Sequence, residues 1–78
     1  MKTEFLGASN NGVFCVDGVD LFQLKWQTTG KCAVVLEPGS KTPYTFSVYE
    51  AQQGERSFCF AAGELRPGEW SFYEMVEE

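Results

Sequence analysis

The sequence predicts an all-β domain: a small antiparallel β-sandwich or partly open barrel of six to seven strands. Three observations carry this. No stretch of ten or more residues shows the 3.6-residue apolar period with helix start and stop signals. Runs of five to seven residues rich in β-branched and aromatic side chains recur instead, and several of them alternate. Gly- or Pro-containing turn sequences separate these runs every eight to twelve residues, the spacing of sandwiches and small barrels. At 78 residues the chain is a single domain, 1–78. A domain of this size hides roughly 60–65% of its unfolded surface, and seven Phe, three Tyr and two Trp provide the apolar supply.

Residues 2–6 alternate weakly and read as a first edge strand. Asn10-Asn11-Gly12 tolerate positive φ, which predicts a tight turn. Residues 13–16, VFCV, then return as a short strand, closing a hairpin with the first. Asp17-Gly18-Val19-Asp20 breaks the run as a plain turn. A calcium loop needs further oxygen ligands at fixed offsets and a closing bidentate Glu, and these are absent. In residues 21–26, LFQLKW, the side chains of Phe22, Leu24 and Trp26 share one parity; Gln23, Lys25 and Gln27 share the other. This is the pattern of a half-buried strand.

Gln27-Thr28-Thr29-Gly30 reads as a turn. Residues 31–36, KCAVVL, are apolar at both parities, which predicts a strand covered on both faces or central in its sheet. Glu37-Pro38-Gly39-Ser40 is a strong turn, because Pro presets the first φ and Gly supplies the positive second one. Residues 44–50 form a strand, with residues 51–55 as connection and room for one helical turn over 50–53. In residues 56–62, Phe58, Phe60 and Ala62 face one side and the small Ser57, Cys59 and Ala61 the other. Arg66-Pro67-Gly68-Glu69 reads as a type II turn feeding a last strand, 70–76, in which the pleat splits Trp70 and Phe72 from Tyr73 and Met75.

Several chemistries are disfavoured by composition. The chain has no histidine, which removes the commonest general base and metal ligand together. Neither a Cys–His nor a Ser–His–Asp arrangement is available. Three isolated cysteines and a carboxylate are a poor zinc set. No Gly-rich loop opens a helix to cradle phosphate. The expectation is a protein that is not an enzyme and holds no cofactor.

The formal charge is −5, from eleven acidic and six basic residues, with the basic ones scattered singly. That argues against nucleic acid and suits a solvated surface or a basic protein partner. No apolar run is long enough for a membrane helix or secretory signal. Cys15, Cys32 and Cys59 each sit in an apolar run at irregular spacing. They read as free thiols of a cytoplasmic setting; a Cys15–Cys59 pair after oxidation is the other reading.

Aromatic side chains are the remaining candidates. Trp26 and Trp70 either belong to the core, as their parity with Leu24 and Phe72 indicates, or stack a sugar ring or a partner. Tyr49 and Tyr73 lie off the main apolar faces, so a surface patch is expected there; Tyr and Trp anchor interfaces because they bury much area and keep a polar handle. The candidate protein-binding residues are Tyr49, Trp70, Tyr73, Glu74 and Met75, with Glu77 and Glu78 completing an acidic end. Unpaired sheet edges offer a second route to a partner.

Over residues 20–76 the chain resembles the short immunoglobulin-like β-sandwiches of tailed-phage tail, baseplate and head–tail proteins. Leu65, Pro67, Gly68, Trp70 and Phe72 match the closing turn and last strand of those domains. The resemblance implies a small phage or prophage structural protein that acts in virion assembly through protein contacts or self-association, in the host cytoplasm or the virion. The chain is shorter than a full seven-stranded domain of that kind, and it carries three cysteines. Two other functions fit the same features: a small acidic phage inhibitor of a host defence or host enzyme, and a carbohydrate-binding module.

Overall fold

The computed structural model describes residues 2–76. Seven strands follow in order: β1 (Lys2–Ser9), β2 (Cys15–Val16), β3 (Val19–Asp20), β4 (Gln27–Leu36), β5 (Pro43–Gln53), β6 (Arg56–Arg66) and β7 (Glu69–Val76). One 3-10 turn, Leu21–Gln23, lies between β3 and β4. The class is all-β, as expected. Five strands form one antiparallel sheet in the order β1-β7-β6-β5-β4, and β2 and β3 form a separate small ladder.

Strands β4 to β7 are joined by consecutive hairpins, and the first and last of their turns carry the predicted chemistry. At Glu37–Ser40 the Ser40 N–H donates to the Glu37 carbonyl at 2.9 Å, and Gly39 has φ +81. Pro67-Gly68 joins β6 to β7 with Gly68 at φ +78, as a type II turn needs. β5 runs straight through residues 50–53 as strand and continues to Gln53.

One expected pairing and one expected strand are replaced. β1 does not form a hairpin with residues 13–16; it lies beside β7, with Phe5 opposite Tyr73 and Ser9 opposite Trp70. A long ladder with the last strand outweighs a short hairpin. At the end of β1, Ser9 Oγ donates to the Val13 carbonyl at 2.6 Å and directs the chain across the sheet. Residues 21–26 are not a strand either. Asp20 caps the 3-10 turn: its Oδ1 accepts from Phe22 N at 3.1 Å and from Phe14 N at 3.0 Å. Trp26 Nε1 donates to the Leu21 carbonyl at 2.7 Å. These local bonds compete with extension. The expected parity nevertheless survives in burial, with Phe22, Leu24 and Trp26 half-buried and Gln23, Lys25 and Gln27 exposed.

The two faces of the sheet have different covers. The outer face carries Ala51, Phe60, Ala62 and Phe72, and residues 10–26 lie over it with Phe14, Leu21, Phe22 and Trp26. Phe14 stacks on Phe72 at 4.5 Å, and a β-carbon at Gly7 would come within 2.9 Å of the Phe14 ring. The inner face carries Val35, Phe46, Val48, Ala61 and Tyr73. Among the described residues no separate element packs there. The sheet curls over this face until β1 and β4 approach without hydrogen-bonding, so the architecture tends to a partly open barrel.

Residues 27–30 are not a turn. They are a bulge within β4: the register jumps from Thr28–Tyr49 to Cys32–Ser47, Gly30 takes φ +77, and Thr29 Oγ1 donates to the Val48 carbonyl at 3.0 Å. Residues 31–36 are also neither central nor doubly covered. β4 is an edge strand; Ala33 and Val35 point inward, while Cys32, Val34 and Leu36 are exposed on the outer side.

Candidate protein-binding face

The cover formed by residues 10–26 protects only part of the outer face. Its boundary is Trp26, whose ring lies 5.3 Å from Tyr49 and 5.7 Å from Trp70, both edgewise or tilted. Trp26 also touches Phe22, Phe60 and Phe72, at 5.9, 5.0 and 5.8 Å. It therefore anchors the core, while Tyr49 and Trp70 stand half-buried at its edge.

Beyond that edge the face is open. A shallow groove of about 410 Å³ runs along Thr45, Ser47, Tyr49, Ala62, Glu64 and Trp70. Register explains the lining: Ser47 lies opposite Ala62 and Glu64 opposite Trp70, so their side chains share one face. The small Ala62 and Ser47 leave the floor low between the two aromatics. Glu64 Oε2 accepts from Gly68 N at 2.9 Å, which ties the groove wall to the Pro67-Gly68 turn. On the other side, Cys32 and Val34 lie opposite Ser47 and Thr45 and extend the same face. Val34 is 67% exposed and Leu36 54%.

The expected site residues divide between two faces. Tyr49 and Trp70 come together at the groove. Glu74 is exposed on the outer face at the far end of β7, opposite Phe60 and Glu4. Met75 is half-buried on the inner face, against the Val35–Tyr73 cluster. Tyr73 is not a surface residue: it is 2% exposed, between Phe5 at 5.2 Å and Phe46 at 5.8 Å. The pleat separates it from Trp70 as expected, but curling of the sheet turns this second face into interior. Glu77 and Glu78 lie outside the described residues. Sequence reasoning missed Val34 and Leu36, because an apolar run at both parities reads as buried unless the strand is known to be an edge.

Several of the other polar groups are engaged structurally. Asp17 lies 3.6 Å from Arg56, and Asp20 caps two backbone N–H groups, so both acids of the 17–20 turn have partners. Arg66 bonds Glu37 at 2.9 Å and Glu69 at 3.0 Å, and these hydrogen bonds push its guanidinium pKa further up. Among the described residues no group of three Cys, Asp or Glu is placed to hold a metal. All three cysteines are free. Cys15 is exposed on the small β2–β3 ladder and Cys59 is half-buried against the inner cluster, so no disulfide joins them. Burial, with Glu50 adding and Lys31 opposing, pushes the Cys59 thiol up and away from the nucleophilic thiolate. No helix among the described residues is long and apolar enough to cross a membrane. The chain matches no protein-family model, no curated protein and no solved structure.

Proposed function

We propose that this chain is a non-enzymatic protein-binding module that meets its partner with the open half of the outer face. The observation that supports it is the continuity of Val34 and Leu36, largely exposed, with a groove walled by Tyr49 and Trp70. Contiguous exposed apolar surface beside half-buried aromatics is the composition of interface cores. The groove is shallow and its lining mixes polar with apolar groups, which suits a protein surface better than the enclosing, mostly apolar pocket of a small molecule. The resemblance of Leu65 to Phe72 to the closing strands of tailed-phage sandwich proteins supports virion assembly as the setting.

The test places a photo-crosslinking residue at Thr45, on the groove, and a control at Lys25, on the exposed side of the cover, in cells that make the protein. One discrete protein adduct from Thr45 and none from Lys25 supports the reading. An adduct with a capsid or tail protein supports virion assembly; one with a host enzyme moves the role to inhibition. Absence of any discrete adduct from Thr45 overturns it.

A further inference from the structure

We propose that a second copy of this chain adds to the free edge of β4, antiparallel, about a two-fold axis through Val34. Among the described residues β4 hydrogen-bonds to β5 only. Edge strands are ordinarily blunted by Lys, Pro, a bulge or an inward charge. Here those devices flank a gap. The Thr29–Lys31 bulge precedes Cys32 and Glu37-Pro38 follows Leu36, while Cys32-Ala33-Val34-Val35-Leu36 between them carries none. Val34 and Leu36 are among the few large apolar side chains the described residues leave exposed.

The window is complementary to itself. Pairing about Val34 sets Val34 against Val34 of the second copy, Ala33 against Val35, Cys32 against Leu36, and Lys31 against Glu37. A continuous sheet requires opposite residues to share a face, so neighbouring registers move the axis by one residue and each pairing by two. An axis through Ala33 puts Lys31 against Val35; one through Val35 puts Glu37 against Ala33. Of these three, only the Val34 axis matches the charges, and opposite charges directly across an antiparallel pair stabilise it. The two groups are open to this use. Arg66 engages Oε1 of Glu37 and leaves Oε2, and Lys31 takes part in none of the ion pairs among the described residues. The pairing uses the backbone edge and not the groove, and it would carry two grooves onto one continuous outer face.

Sedimentation of the full chain from low micromolar to submillimolar concentration tests the pairing, with reductant present. The expected result is a concentration-dependent dimer. Val34→Lys places two ammonium groups directly opposite each other and raises the dimer Kd by about tenfold or more; the site is exposed, so its far-UV spectrum stays that of the parent. Register is read with Leu36→Cys in a Cys15→Ser, Cys59→Ser background. Diamide, as two-electron oxidant, then joins the introduced thiol to the native Cys32 of the other copy, and adding Cys32→Ser abolishes the link. A monomer at every concentration overturns the pairing, as does a dimer that is indifferent to Val34→Lys or in which the Leu36→Cys thiol fails to link to Cys32. A monomer leaves the groove reading standing, since the Thr45 adduct reports on that separately.

Discussion

The ring of Phe46 fills the space where a side chain at Gly63 would begin: a β-carbon there would stand 2.7 Å from Cδ1 and 3.1 Å from Cγ of the ring. Phe46 on β5 crosses to β6 over a residue with no side chain, and so reaches Tyr73 on β7 at 5.8 Å. This contact helps the sheet close over its inner face.

Gly63→Ala is therefore expected to destabilise the fold by about 1–3 kcal/mol, the range for overpacking a core. The clash reaches Cγ, close to the backbone, so rotation of the ring alone does not relieve it. Urea denaturation gives the number. Gly54→Ala serves as a contrast, because nothing lies within 4 Å of its would-be β-carbon and its φ of +61 makes any loss there a backbone effect.

Asp20 ties the two ends of the cover's first half together. Its Oδ1 caps the 3-10 turn through Phe22 N and also fixes Phe14 N, so one carboxylate positions both aromatics. Asp20→Ala is expected to cost about 1–2 kcal/mol, and Asp20→Asn, which keeps the acceptor, to recover most of it. Equal losses in the two variants would refute the capping role.

Trp26 makes a comparable link from the other end of the cover. Trp26→Phe keeps a ring against Tyr49, Phe60 and Trp70 but removes the bond to the Leu21 carbonyl. The expected loss is about 1–2 kcal/mol. Because Trp26 borders the groove, amide exchange should rise at residues 21–26 and stay unchanged at the β5–β6 ladder. Uniform loss of protection would show that the cover does not open separately.

What the sequence made legible was local. Pro38-Gly39 and Pro67-Gly68 dictate their turns by backbone sterics alone, and the Phe58/Phe60/Ala62 alternation assigned β6 to its faces correctly. What escaped was set by distant neighbours. The partner of β1 is the last strand, at the opposite end of the sequence. Thr28-Thr29-Gly30 has turn composition, yet Val48 across the ladder makes it a bulge. Val34 and Tyr73 exchanged roles for related reasons. The cover of residues 10–26 does not reach Val34 on the edge strand, and curling of the sheet buries Tyr73 on a face with no separate cover among the described residues. Of the candidate site, Tyr49 was readable as an aromatic off the main apolar parity of its strand and Trp70 as an aromatic beside a turn; their meeting at one groove depended on register.

Tyr73 gives the last prediction. Its hydroxyl is buried and is the one buried side-chain polar atom without a hydrogen-bond partner among the described residues. An unpaired buried hydroxyl is a net loss, so Tyr73→Phe is expected to raise stability by about 1 kcal/mol near neutral pH. The same burial, with Glu37 adding, pushes the phenol pKa above its ordinary value of 10.0. Below that value both folded and unfolded states hold the proton, and Tyr73 adds no pH dependence. As the pH rises past about 10, the unfolded chain ionises while the folded one keeps its proton, so the unfolded state binds fewer protons and stability falls. Cys59, whose thiol is also pushed up, contributes a limb of the same sign from its ordinary value of 9.0. The two are separated by comparing Cys59→Ala with the double variant Cys59→Ala, Tyr73→Phe across that range. The double variant should start higher and lose less with rising pH. Parallel curves would show that Tyr73 ionises alike in both states; a lower starting stability would show that its hydroxyl has a partner, such as a buried water.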